Sequence, residues 1–91
     1  MYYVLYYQTI ENYIEKRVPF RELHLAYATA SQDRGELLLG GAFSEPNEGS
    51  LMIFQTEDPS VVVDFAKNDP YVINGLVFDW NVRGWDVVIG N

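Results

Sequence analysis

The side chain best suited to acid–base chemistry is His24, the one histidine of the 91-residue chain, and any of 13 acidic residues, Asp69 among them, could partner it. An imidazole titrates near neutral pH, so it takes and returns protons under working conditions. A carboxylate on the other ring nitrogen fixes the tautomer and stabilises the imidazolium. Each residue also has a plainer reading. His24 could be a helix-flank histidine bonded to a neighbour and chemically idle. Asp69 precedes Pro70, and Asp before Pro is an ordinary helix cap, a device repeated at Asp58-Pro59. The two roles of Asp69 are compatible, because a carboxylate has acceptor sites for both a backbone N–H and an imidazole.

Around His24 stand weaker candidates. Arg21 lies one turn before His24, where it would clamp an anionic or phenolate oxygen, or simply pair in solvent with Glu22 or Glu15. Tyr3, Tyr6, Tyr7, Tyr27 and Phe54 would line an aromatic pocket, or serve as plain core. Ala28 and Ser31 are small where a core helix takes Leu, which leaves room beside the imidazole. Other chemistries find little support. There is no cysteine, hence no disulfide and no thiolate metal site or nucleophile. One histidine cannot build a multi-histidine metal site; a His-plus-carboxylate site stays open, but no metal-ligand spacing is present. Gly40-Gly41 lacks the Lys-Ser/Thr of a phosphate loop and opens no helix.

Composition narrows the partners. The net charge is −7, from 13 acidic and 6 basic residues, with no Lys/Arg cluster, so neither nucleic acid nor an anionic membrane is expected. No apolar run approaches the roughly 20 residues of a membrane span, and no signal peptide is evident, so the expectation is a cytoplasmic protein. The length fits one domain spanning residues 1–91, with 48% apolar residues, more than a small monomer hides easily.

The elements that must position these residues follow from pattern. Tyr2 to Tyr7 reads as a strand, apolar on both faces and therefore central. Gln8 to Lys16 is a loop or short turn. Pro19 to Gly35 reads as a helix, with Pro at its first position, Glu22 in its first turn and glycine as its stop. At 100° per residue Phe20, Leu23, Tyr27, Ala30 and Ser31 share the apolar face, with His24 on its flank. Glu36 to Phe43 and Leu51 to Thr56 form a hairpin around the turn-rich SEPNEGS connection. A second helix runs from Pro59 to Lys67, its apolar side Val61, Val62, Phe65 and Ala66, and a short helical turn from Pro70 to Ile73. Leu76 to Val82 and Asp86 to Ile89 are strand-like, separated by a turn or bulge at Arg83-Gly84.

The order β-α-β-β-α-β is the split βαβ arrangement, an α+β ferredoxin-like fold with an antiparallel sheet and both helices on one face. The first and third strands lie in the middle of such a sheet, and both are apolar on both sides here. Two helices cannot cover the far face, so a second copy of the chain is expected there, as a homodimer or an assembly of dimers.

The ordered set Arg21-x-x-His24-Leu25, Gly41, Gly49-Ser50-Leu51 and Asp69-Pro70-Tyr71-Val72, with the opening MYYVLYY strand, resembles the YCII-related (YciI-like) proteins over nearly the whole length. That resemblance implies a dimeric α+β barrel, with His24 and Asp69 matching the family's active-site pair. A dehydrochlorinase acting on a chlorinated hydroxyquinol is the best-defined activity it implies. The chain departs from the pattern at Ala42, where the family has Pro, at Gly84-Trp85, where it has Pro-Phe, and at Ala28 and Ser31, where it has large apolar residues.

The expected activity is that of a small cofactorless enzyme. His24, oriented by Asp69, would shuttle a proton on a small cyclic or aromatic metabolite, with Arg21, Tyr6, Tyr27, Ser31 and Phe54 as ligand contacts and no metal. Isomerase, lyase or dehydrohalogenase chemistry suits a lone acid–base pair. Two alternatives stand beside it: a non-catalytic module that binds a small ligand, and a structural dimer with a vestigial site.

Overall fold

The computed structural model describes residues 1–90. Strands β1 (Tyr2–Thr9), β2 (Leu37–Ala42), β3 (Ser50–Gln55) and β4 (Val77–Trp85) form one antiparallel sheet in the order β2-β3-β1-β4. β1 and β3 are central and pair in register from Tyr2↔Gln55 to Tyr7↔Ser50. On the helix-covered face Leu5, Tyr7, Met52 and Phe54 are buried, whereas Val4, Tyr6, Leu51 and Ile53 on the opposite face are only partly buried. The fold is α+β and ferredoxin-like, with the helices packed on one face of the sheet.

The connection after β1 holds a short helix α1 (Tyr13–Lys16) and a 3-10 turn at Val18–Phe20, after which helix α2 runs from Arg21 to Asp33. Pro19 therefore lies in the 3-10 turn, and the helix begins two residues after the expected start. Its end follows the sequence: Gly35 adopts φ +79°, its N–H donates to Gln32 O at 2.9 Å, and Glu36 N–H to Ser31 O at 3.1 Å. This paired motif satisfies the last helical carbonyls and needs a residue at ease in left-handed backbone.

The buried stripe of α2 differs from the expected one. Leu23 is 62% exposed, whereas Phe20, Tyr27 and Ala28 pack against the core and Ser31 is buried. These positions, at i, i+7, i+8 and i+11, form one helical stripe, and His24 at i+4 lies within it rather than on its flank.

Helix α3 (Pro59–Asn68) starts at Asp58, whose side chain accepts from Ser60 N–H at 2.9 Å. It buries Val62, Phe65 and Ala66. Helix α4 (Pro70–Ile73) follows at once, capped by Asp69. The core between helices and sheet is formed by Leu5, Tyr7, Leu37, Met52, Phe54, Val62, Phe65, Tyr71, Leu76 and their neighbours.

The last strand also differs from expectation. β4 runs unbroken through Arg83-Gly84 to Trp85, and its irregularity lies earlier, where the pairing shifts between Gln8 and Thr9 of β1. Asp86 to Ile89 forms no strand, and Val88 and Ile89 are exposed. β1 ends at Tyr2↔Trp85, so residues beyond Trp85 have no partner strand to pair with. No helix among the described residues is long and apolar enough to cross a membrane.

Candidate active site

Asp69 sits at the junction of α3 and α4, where Pro70 forces the chain to restart. Its backbone is extended (φ −65°, ψ 128°), which turns the side chain back over the first turn of α4. Oδ1 accepts the Tyr71 N–H at 2.9 Å. The same oxygen meets His24 Nδ1 at 2.8 Å, and Oδ2 accepts the Tyr7 hydroxyl at 2.7 Å. Three elements, β1, α2 and α4, thus converge on one carboxylate with 0% exposure. A buried carboxylate is tolerated only when its lone pairs are used, and here they are.

The geometry selects the histidine tautomer. Asp69 Oδ1 is an acceptor, so the proton of a neutral imidazole resides on Nδ1. Nε2 has no protein partner among the described residues and is the nitrogen left for exchange. The imidazole also stacks on the Tyr71 ring, with centroids 3.8 Å apart and planes 8° from parallel. Tyr71 in turn meets the edge of Tyr13 at 5.7 Å, and the Arg17 guanidinium sits 5.3 Å above the Tyr13 ring. Ring plane and tautomer are both held before any ligand arrives.

His24 lies on the wall of an open cavity of about 460 Å³ between α1, α2 and the β2–β3 end of the sheet. Arg17, Arg21, Ala28, Gly40, Ser50 and Tyr71 also line it. The small side chain at Ala28 faces this space, as its size suggested. Arg21 makes no ion pair among the described residues, with neither Glu22 nor Glu15 in reach.

The other sequence candidates lie elsewhere. Tyr6 points to the far face of the sheet, where it packs on Phe43 with centroids 6.1 Å apart. Phe54 is wholly buried and packs edge-on against Phe65 at 5.0 Å. Tyr27 donates its hydroxyl to Phe65 O at 2.8 Å, tying α2 to α3. Ser31 is buried near that same junction, not beside the imidazole. Conversely, Tyr71, Tyr13 and Arg17 take part in the constellation although the sequence offered them no side-chain role, and Tyr7, one of the aromatic candidates, serves as a partner of the carboxylate. Tyr7 shares the inward face of β1 with Leu5, and Tyr6 the opposite face.

Burial and charge leave their mark on the phenols. Burial, and then the Asp69 charge and hydrogen bond, push the Tyr7 phenol far above its ordinary pKa. Burial also raises Tyr13, Tyr27 and Tyr71, with Arg17 and Arg21 pulling Tyr71 part of the way back.

The YCII-related domain matches residues 1–86. An uncharacterised protein of Haemophilus influenzae is 39% identical over 92 residues, which cover 91% of this chain and 94% of its own. Protein YciI of Escherichia coli is 33% identical over 85 residues, covering 84% of this chain and 87% of its own. Among solved structures, 5-chloro-2-hydroxyhydroquinone dehydrochlorinase of Burkholderia phenoliruptrix, in complex with 2,5-dihydroxybenzoquinone, superposes with a TM-score of 0.79 at 23% identity over 94% of each chain. At that identity the likeness speaks for the fold.

Proposed function

Since the chain belongs to the YCII-related family, we propose that it is a small enzyme working without a cofactor on a cyclic or aromatic metabolite. His24 Nε2 is the general base and acid, and Asp69 is the group that orients it. The observation that carries this reading is the 2.8 Å bond from Nδ1 to a fully buried carboxylate, with the other nitrogen on a cavity wall. A carboxylate behind the ring stabilises the imidazolium that forms when Nε2 takes a proton from the ligand. The proton then returns to a second atom, which is isomerisation, or leaves while a neighbouring group departs with its bonding electrons, which is elimination. Loss of a proton and a halide needs no oxidant. The dehydrochlorinase named above shares the fold and makes chlorinated hydroxyquinols the first substrates to try.

The active form in this reading is a homodimer packed through the far face of the sheet. No helix covers that face, and Leu39, Phe43 and Trp85 are exposed apolar residues on or beside it.

The test is turnover of a panel of halogenated and hydroxylated quinols, including 5-chloro-2-hydroxyhydroquinone, read by halide release and by absorbance. His24→Ala is expected to lower any rate found by about 10²- to 10⁴-fold, the usual share of a general acid–base group, with the fold intact. A folded variant that turns over substrate at the parent rate would exclude His24 as the base. Binding without turnover across the panel would favour a ligand-binding module.

A further inference from the structure

The cavity beside His24 departs in its charge from the rest of the molecule. The chain carries −7 overall and 13 acidic residues, yet none of them lines the cavity. Arg17 and Arg21, two of only 6 basic residues, both do. Neither forms an ion pair among the described residues. Asp69, the carboxylate bonded to His24, is wholly buried behind the imidazole, with both oxygens engaged.

A second observation points the same way. The Tyr71 hydroxyl is buried, on a residue 1% exposed that lines the cavity, and no acceptor takes its proton. The groups that act on this phenol from the cavity side are the Arg17 and Arg21 guanidiniums. A guanidinium has donors only, so it can offer a proton to the phenol oxygen but cannot accept the phenol's own. A buried hydroxyl with an unspent proton costs free energy until an acceptor arrives. Everything charged at this wall donates; the missing partner is an acceptor.

We propose that Arg17, Arg21 and the Tyr71 hydroxyl form a subsite for an anionic oxygen, so that the ligand is a small ring bearing a carboxylate or phenolate. Seating that oxygen on the guanidiniums brings the ring alongside His24, which is stacked on Tyr71. The subsite deepens the acid–base reading and rests on it for its place in catalysis. Tyr71 and the arginines are positioning residues in that scheme, and the proton transfer stays with His24.

Binding can be measured without turnover, by calorimetry and by NMR shift perturbation. The probes are benzoate for the carboxylate, 4-nitrophenolate at mildly alkaline pH for the phenolate, and benzamide as the neutral match in shape. At least one anion is expected to bind about tenfold or more tightly than benzamide, as charge-assisted hydrogen bonds require. Arg21→Gln and Tyr71→Phe should each weaken the anion by about ten- to a hundredfold and leave benzamide unchanged. Tyr71→Phe should not lower the melting temperature, because the proton of its hydroxyl has no acceptor in the free protein. A merely structural tyrosine would give the opposite pattern, with lost stability and unchanged affinity. Benzamide binding as tightly as both anions, or no anion binding at all, would overturn the subsite. Anion binding that survives while His24→Ala leaves turnover unchanged would sink the catalytic reading and spare the subsite. Turnover that needs His24 but ignores ligand charge would do the reverse.

Discussion

The Tyr7 hydroxyl donates to Asp69 Oδ2 at 2.7 Å, joining the middle of the sheet to the start of α4 across 62 residues of sequence. This bond makes Asp69 a structural hub as well as the partner of an imidazole. Tyr7→Phe keeps the ring and removes only the hydroxyl. Hydrogen bonds to charged groups contribute about 1.5–3 kcal/mol, and the variant should lose that much in urea unfolding at neutral pH. A loss within error of zero would mean that the carboxylate finds another donor.

The same phenol sets the alkaline limit of stability. Its pKa is raised in the folded protein by burial and by Asp69, so the folded state holds the proton more tightly than the unfolded chain does. Its contribution is therefore complete below the unfolded tyrosine value of about 10 and is lost as pH rises above it, at about 1.4 kcal/mol per pH unit for one proton. Tyr13, Tyr27 and Tyr71, all shifted upward as well, steepen the decline. Unfolding measured from about pH 8 to about pH 11 should show a plateau and then a fall, with Tyr7→Phe shallower by one proton's share. Stability that is flat through that range, or equal slopes in the two proteins, would contradict the assignment.

Asp69→Asn separates charge from geometry. The Tyr71 N–H and His24 Nδ1 both bond Oδ1. The backbone N–H can only donate, so it pins the amide oxygen of the substituted side chain at that position. The Nδ1–H tautomer then survives and the amide nitrogen turns toward Tyr7, whose hydroxyl can accept. The expected result is a folded protein whose turnover falls by less than that of His24→Ala, whose own loss is about 10²- to 10⁴-fold. A loss as large as that of His24→Ala would show that the negative charge, and not orientation, is the main contribution of Asp69.

Tyr27→Phe and Ala28→Leu form a contrasting pair on adjacent residues of α2. Tyr27 holds α3 through the Phe65 carbonyl and lies away from the cavity. Losing that hydroxyl should cost about 0.5–1.5 kcal/mol of stability and leave ligand affinity alone. Ala28 faces the cavity. Ala28→Leu should leave stability within about 0.5 kcal/mol, since both residues are strong helix formers, and should weaken small-ring ligands by filling their space. Thermal unfolding and calorimetric binding on both variants check the contrast; reversal of either result would relocate the site.

The homodimer reading predicts a particle of twice the 10.5 kDa chain, or a multiple of that pair, by size-exclusion with light scattering at low micromolar concentration. Replacing Leu39, 68% exposed on the far face, by Lys should shift it toward monomer. A wild-type monomer would contradict the dimer.

How much of this was legible beforehand depends on the element. The order of strands and helices could be read because Asp-Pro starts, a glycine stop and double-sided apolar strands are local signals. The α2 stripe could not be placed to the residue, because Leu23 and His24 are neighbours and hydrophobicity alone favours Leu. The tertiary bond to Asp69 decides the matter and turns His24 inward. Tyr6 and Tyr7 pose the same difficulty on β1. A strand apolar on both faces carries no parity mark, so the sequence does not say which tyrosine faces the helices. Tyr71 stood next to a recognised cap, yet its role depends on stacking beneath an imidazole from another helix. Local pattern cannot carry that information.

The most direct check is ¹⁵N NMR of the imidazole, which is unambiguous in a chain with one histidine. In the uncharged ring the proton should sit on Nδ1, bonded to Asp69, and Nε2 should be bare. Addition of benzoate should then move the Nε2 resonance more than Nδ1. A proton found on Nε2, or a ring indifferent to every ligand that enters the cavity, would contradict the account.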